Sequence, residues 1–171
     1  MAAVIGMDED QLHVVCNELG VEIANLNCPG QIVISGESAK IATAVEAGKA
    51  RGFRRVMPLN VAGAYHSRLM RPAYEPFKAF LADIPLQAPK YKVFSTVTGA
   101  AISDPEEIRK ALLAALVSPV YWEDCMVAAG ADGAEKFLEL GVNGVLKGQL
   151  RRTNKDLDGE SYETLADIEG A

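Results

Sequence analysis

Cysteine and histidine are scarce in this chain, and the scarcity restricts what it can be. Its 171 residues hold three cysteines, Cys16, Cys28 and Cys125, and two histidines, His13 and His66. An odd number of cysteines with no CxxC spacing argues against a disulfide frame or a zinc site, and the thiols read as reduced groups of a cytoplasmic protein. No apolar run approaches the ~20 residues of a membrane-spanning helix, and no signal peptide opens the chain. Basic residues are outnumbered, 17 Lys and Arg against 23 Asp and Glu, for a net charge of -6. That balance argues against a nucleic-acid partner, because phosphate binding needs a basic face. The two short basic clusters, "RGFRR" at 51–55 and "LRRTNK" at 150–155, read as solvated. GxGxxG, P-loop, HExxH and EF-hand patterns are all missing. No metal and no cofactor is therefore expected.

The residues present are those of a globular α/β protein, 49% apolar and 23% charged, long enough to bury a real core. "MAAVIGM" reads as a strand. Asp8 caps a helix with Gln11 three residues on, and Leu12, Val15, Cys16 and Leu19 form its apolar stripe before Gly20 stops it. "VEIANLN" alternates as a strand, "CPG" turns, and "QIVISG" is a further strand. A helix capped by Ser38 runs to about Arg51, and "FRRVMPLNV" completes a βαββαβ order, the ferredoxin-like pattern. Beyond it, a helix over about 69–82 should kink at Pro76. A strand is expected over 91–97, then a helix capped by Ser103 with Glu106, and another from Trp122 to Ala129. "KFLELG" reads as a buried strand and "GVLKGQLRRT" as a short helix. The acidic residues after Thr153 show no period and are expected to be mobile. Two parallel strands make a poor isolated sheet, so they should belong to a larger one.

His66, in "LNVAGAYHSRLM", is the natural candidate for a general base, since imidazole titrates near neutral pH. It follows a strand end among small residues, where other groups can approach. A partly buried histidine bonded to a backbone carbonyl is the plainer alternative. A nucleophile for it is hard to find. Ser67 is its immediate neighbour and badly placed, Ser35 lacks the G-x-S-x-G elbow, and nothing near Cys28 would lower its pKa.

Four ordered segments carry a resemblance. "VEIANLNCPGQIVISGE", "ARGFRRVMPLNVAGAYHSRLMRPA", "SPVYWEDCM" and "FLELGVNGVLKGQLRRT" resemble, in order, stretches of malonyl-CoA:acyl-carrier-protein transacylases. The resemblance implies an α/β-hydrolase-like acyltransferase core carrying an inserted ferredoxin-like subdomain. On that basis residues 1–61 would be the ferredoxin-like subdomain, 62–153 the C-terminal part of the core, and 154–171 an acidic tail. The family's serine elbow, GHSxG, would lie ahead of the residues present here.

The resemblance makes His66 the catalytic base. It would take the serine proton as malonyl-CoA is attacked, then activate the phosphopantetheine thiol of the acyl carrier protein. In the family a backbone carbonyl orients the histidine, and the matching position is Ala115. Asn25 and Asn27 match an asparagine pair near the acyl pocket. Tyr65 replaces a phenylalanine whose bulk accompanies choice of malonyl over methylmalonyl groups. Val142 and Asn143 depart from the family's turn. Three readings remain: part of a transacylase, inactive alone; a non-catalytic module that binds carrier protein or self-associates through exposed core surface; and a hydrolase relative using water.

Overall fold

Local signals in the first third of the chain become local structure. In the computed structural model, which describes residues 1–48 and 50–170, Ala2–Ile5 form β1 and Glu9–Leu19 form α1. The Asp8 carboxylate accepts the Gln11 backbone N–H at 2.9 Å, which satisfies one of the free donors of the first turn. Gly20 ends α1 in a left-handed conformation, φ 66°, and its freedom from a Cβ makes that stop cheap. β2 (Glu22–Cys28), β3 (Gln31–Ser35), α2 (Ser38–Ala47) and β4 (Arg55–Pro58) follow. α2 starts after Glu37, whose side chain makes no cap hydrogen bond, so the expected Ser38 cap is instead the first helical residue. α2 also stops at Ala47, short of Arg51.

β1 pairs antiparallel with both β3 and β4, and β2 pairs antiparallel with β3, giving the order β4-β1-β3-β2. Register places Ala2, Val4, Ile23, Ile32 and Ile34 on one face. Leu12 and Cys16 of α1 and Ile41 and Ala44 of α2 pack against them in one core, closed by Phe53. The opposite face carries smaller buried residues, Ala3, Ala24 and Val33.

The second half is assembled around different contacts. A 3-10 turn at Arg68–Ala73 leads into α3 (Tyr74–Ala82). The expected single helix over 69–82 is thus two pieces, and Pro76 falls in the first turn of α3. A missing N–H has no partner to lose there, so Pro76 has no interior to kink. The strand expected over 91–97 is shorter. β5 (Val93–Ser95) turns through Gly99 into an antiparallel partner, β6 (Ala100–Ile102). α4 (Pro105–Ala114) is capped by Asp104, whose carboxylate accepts the Glu107 N–H at 2.9 Å. Ser103 therefore sits one residue outside the cap it was expected to make. β7 (Val120–Tyr121) pairs in parallel with β2 and becomes the fifth strand of the first sheet. α5 (Trp122–Ala131), β8 (Lys136–Leu140), α6 (Val145–Thr153), β9 (Asp158–Tyr162) and α7 (Leu165–Glu169) complete the chain.

The segment after Thr153, which shows no period in its sequence, still forms a strand: β9 pairs in parallel with β8 along its whole length, from Lys136↔Asp158 to Leu140↔Tyr162. Its residues are only half-buried, which is why "DGESY" shows no apolar alternation. β8 was expected to be buried. Phe137 does pack with Cys125, Met126 and Leu150, but Leu138 and Leu140 point the other way and are 58% and 74% exposed. Apolar residues on both faces suggest burial on both, but only one face of β8 is covered.

Candidate active site

His66 sits in the bend between β4 and the 3-10 turn with φ 57°, one of two non-glycine residues in the left-handed region among the described residues. That conformation crowds Cβ against the following carbonyl and persists only where neighbours hold it. Ser67, fully buried, donates its hydroxyl to Ala64 O at 2.6 Å and accepts the Leu69 N–H at 3.3 Å. Its oxygen is therefore committed to closing the bend.

The imidazole of His66 is half-buried, and its Nδ1 lies 2.8 Å from the carbonyl oxygen of Ala115. A carbonyl can only accept, so Nδ1 carries a proton, and in the neutral ring Nε2 is then the nitrogen with the free lone pair. Ala115 is available because it ends α4. Its own N–H bonds back to Ala111 O, while the amides of Val117 and Ser118 both turn to Ala114 O. The last carbonyls of a helix lack helical partners, and the Ala115 carbonyl accepts from the histidine instead.

Of the other residues singled out in the sequence, Asn25 and Asn27 are half-buried on β2. The pairing of β2 with β3 slips twice, between Ile23 and Asn25 and again between Leu26 and Cys28. Asn27 is thereby left as an extra, unpaired residue, and such bulges re-aim side chains. Asn25 pairs with Val120 in β7, five residues past Ala115. No hydrogen bond joins either asparagine to His66 among the described residues. Tyr65 is 41% exposed, and its ring would lie 3.6 Å from a Cβ placed at Gly63.

Burial disfavours the thiolate at each cysteine. All three are buried and unpaired. Burial pushes the Cys16 thiol up to about 12 and raises Cys28 and Cys125 as well, with Arg152 partly offsetting the rise at Cys28. Among the described residues, no group of three His, Cys, Asp or Glu is placed to hold a metal ion, and no helix is long and apolar enough to cross a membrane.

Some contacts around His66 carry no sequence signal. The Arg68 backbone N–H donates to Glu22 Oε2 at 2.9 Å, and its guanidinium reaches Glu22 Oε1 and Glu37 Oε1, each at 3.2 Å. Hydrogen bonds from Lys40 and Arg68 hold the Glu37 carboxyl below the usual carboxylate range. Residues 46 positions apart show no periodicity that would link them. Further on, the Glu139 carboxylate accepts the Leu146 and Lys147 N–H groups at 3.1 and 2.9 Å and so caps α6 from a neighbouring strand. Arg152, in a cluster read as solvated, bonds Gln31 Oε1.

These contacts set a half-buried histidine, held through Nδ1 by a helix-end carbonyl, on an α/β scaffold. Residues 1–169 match the acyl transferase domain, and the chain belongs to that family. It is similar to the malonyl CoA-acyl carrier protein transacylase of Staphylococcus aureus (strain COL), 37% identical over 175 residues that cover 99% of this chain and 57% of the relative. The acyl-carrier-protein S-malonyltransferase of Burkholderia pseudomallei 1710b superposes with a TM-score of 0.92 at 35% identity, over 99% of this chain and 56% of that one. A type II PKS acyl-carrier protein in complex with its malonyl-transacylase gives a TM-score of 0.94 at 31% identity, over 99% and 56%. The chain spans little more than half the length of the relatives it matches.

Proposed function

We propose that this chain supplies the general base and part of the acyl pocket of a malonyl-CoA:acyl-carrier-protein transacylase. The observation that carries the reading is the 2.8 Å contact of His66 Nδ1 with Ala115 O, which leaves Nε2 as the proton acceptor. The serine is contributed from outside these 171 residues. Its hydroxyl proton passes to Nε2 as its oxygen attacks the malonyl thioester carbonyl. The C–S bond then breaks, and the CoA sulfur leaves with the proton from Nε2. In the second half-reaction the pantetheine thiol of acyl carrier protein gives its proton to Nε2 and attacks the serine ester. The serine oxygen leaves and recovers the proton. Two half-reactions through one ester make a ping-pong cycle.

Residues 1–61 would act as a ferredoxin-like subdomain, supported by the βαββαβ order and the strand order β4-β1-β3-β2. Residues 62–153 would be part of the acyltransferase core, with the acidic segment after them adding β9 and α7. Asn25, Asn27 and Tyr65 would line the acyl pocket. The exposed Arg54 and Arg55 could receive an acidic carrier protein, with Arg51 beside them already paired to Glu18. Three free, buried thiols fit a reducing compartment such as the cytoplasm.

Radiolabelled malonyl-CoA and holo carrier protein test the proposal. The isolated chain should form no malonyl ester. Adding the serine-bearing half of a relative should restore transfer, and His66→Gln should remove ~10²- to 10⁴-fold of it, the usual contribution of a general base. A malonyl ester on the isolated chain would overturn the reading. The bare apolar face of Leu138 and Leu140 favours a second reading, in which the chain self-associates as a non-catalytic module. Sedimentation separates the two, because the first predicts that the serine-bearing half dissolves any oligomer and the second predicts that it does not.

A further inference from the structure

His66 is tethered twice, and both tethers lead to β2. The ring is held by Ala115 O, and the segment after Ala115 continues into β7, which is paired with β2 at Asn25 and Leu26. The backbone two residues past His66 is held by Glu22, the first residue of β2. The Glu22 carboxylate takes the Arg68 N–H on one oxygen and the Arg68 guanidinium on the other. One side chain thus fixes both the main chain and the side chain of a residue that adjoins a left-handed bend. Ser67 closes the other side of the same bend. We propose that Glu22 is a positioning residue for His66: by clamping Arg68 it holds the left-handed backbone that keeps Nδ1 on Ala115 O.

The chemistry favours a carboxylate in this role. Two acceptor oxygens are needed at once, and bonds to a charged acceptor are roughly twice as strong as neutral ones. The pair is partly exposed, and exposed ion pairs alone contribute little. The effect therefore rests mainly on the backbone N–H, which has no other partner among the described hydrogen bonds. Releasing it frees the bend to leave the left-handed region, and the ring then loses its acceptor.

This inference deepens the reading of His66 as the base, and its test separates the two. The 171-residue chain is labelled with ¹⁵N-histidine in a His13→Gln background, so that one imidazole remains. Long-range ¹H–¹⁵N spectra at about pH 8.5, above the usual histidine range, report the neutral tautomer. The parent chain should show a protonated Nδ1 and an unprotonated Nε2. A mixture in the parent overturns the assignment of Nε2 as the proton acceptor, whatever Glu22 does. In Glu22→Ala the preference for the Nδ1–H form should fall about fivefold or more, the ratio carried by loss of one neutral hydrogen bond. Glu22→Gln, which keeps an oxygen for the Arg68 N–H, should restore much of it, and Arg68→Ala should give a smaller shift than Glu22→Ala. Arg51→Ala, which breaks the separate pair with Glu18, should change nothing. If Glu22→Ala does not fold, Glu22→Leu, which keeps the bulk and offers no acceptor, carries the test: a measurable shift supports the clamp. An unchanged tautomer ratio in whichever of the two folds overturns it.

Discussion

Replacing Arg109 should loosen the helix that presents the Ala115 carbonyl. Arg109 lies in α4, and its side chain is only 20% exposed. Its guanidinium donates to Leu81 O and, at 3.0 Å, to Ile84 O, at and just past the C-terminal end of α3. The first oxygen also accepts the Ile84 N–H at 3.2 Å, so Arg109 is a second donor to it, while Ile84 O lies beyond the helix. Hydrogen bonds to a charged group contribute about 1.5–3 kcal/mol each, and ordering a long side chain costs up to about 2 kcal/mol. The exposed pair with Glu106 at 3.3 Å adds at most a few tenths of a kcal/mol. The net is about 2 kcal/mol for Arg109→Ala, or roughly 4–8 °C in Tm for a chain of this size. Arg109→Lys should recover only about half, because an ammonium cannot fork to two carbonyls with the geometry of a guanidinium. Urea unfolding followed by circular dichroism, with calorimetry for Tm, reads both variants. A loss below about 0.5 kcal/mol in Arg109→Ala refutes the capping argument. An Arg109→Lys chain as stable as the parent refutes the two-carbonyl fork.

Two glycines separate backbone strain from crowding. Gly99 has φ 64°, and an added Cβ would sit 2.5 Å from Asp124 Cβ, whereas Gly133 has φ 93° with nothing within 4 Å. Gly133→Ala should cost about 1–3 kcal/mol from strain alone, and Gly99→Ala at least about 1 kcal/mol more from overpacking; equal losses in urea unfolding would sink the claimed contact. Cys16, with its thiol pushed up to about 12 from 9.0, should resist alkylation at pH 8 in the folded chain and react freely in urea. Its folded pKa is raised, so its contribution to stability is full below about pH 9 and is lost between 9 and 12. Alkylation of folded Cys16 at the rate of a free thiol would contradict that burial.

What the sequence made legible was local. Asp8 with Gln11 and the stop at Gly20 are signals spanning a few residues, and the structure uses each at its place. Asp104 and Ser103 are both able caps in adjacent positions, and nothing in the sequence ranks them. α3 was hard to bound because Pro72 and Pro76 both suit a first turn and only one is in an α-helix. β9 was illegible because its stability comes from the edge of β8 rather than from its own side chains. His66 was visible as a chemical type, while its backbone conformation and its clamp by Glu22 were not, since both depend on chain segments far apart in sequence. Ala115 could be singled out only through resemblance, because a backbone carbonyl has no residue signature.

That last point changes what must be preserved for the site to work. Every residue at position 115 would carry the same backbone oxygen, so the acceptor does not depend on the identity of the side chain. The end of α4 has to stay where it is, because a carbonyl one turn earlier would already be taken by the helix. Pro119 enforces that end: it cannot continue the helical bonding, and it drives Ser118 out of the helical region. The chain then extends as β7, where the Tyr121 N–H bonds Thr96 O at 2.7 Å and Asn25 pairs with Val120. Helix end, proline and strand pairing together decide which nitrogen of His66 holds the proton. The determinant of the His66 ring's hydrogen bond is therefore a stretch of backbone from 115 to 121 braced on β2, and changes at Pro119 should disturb His66 more than changes at Ala115 that touch it directly.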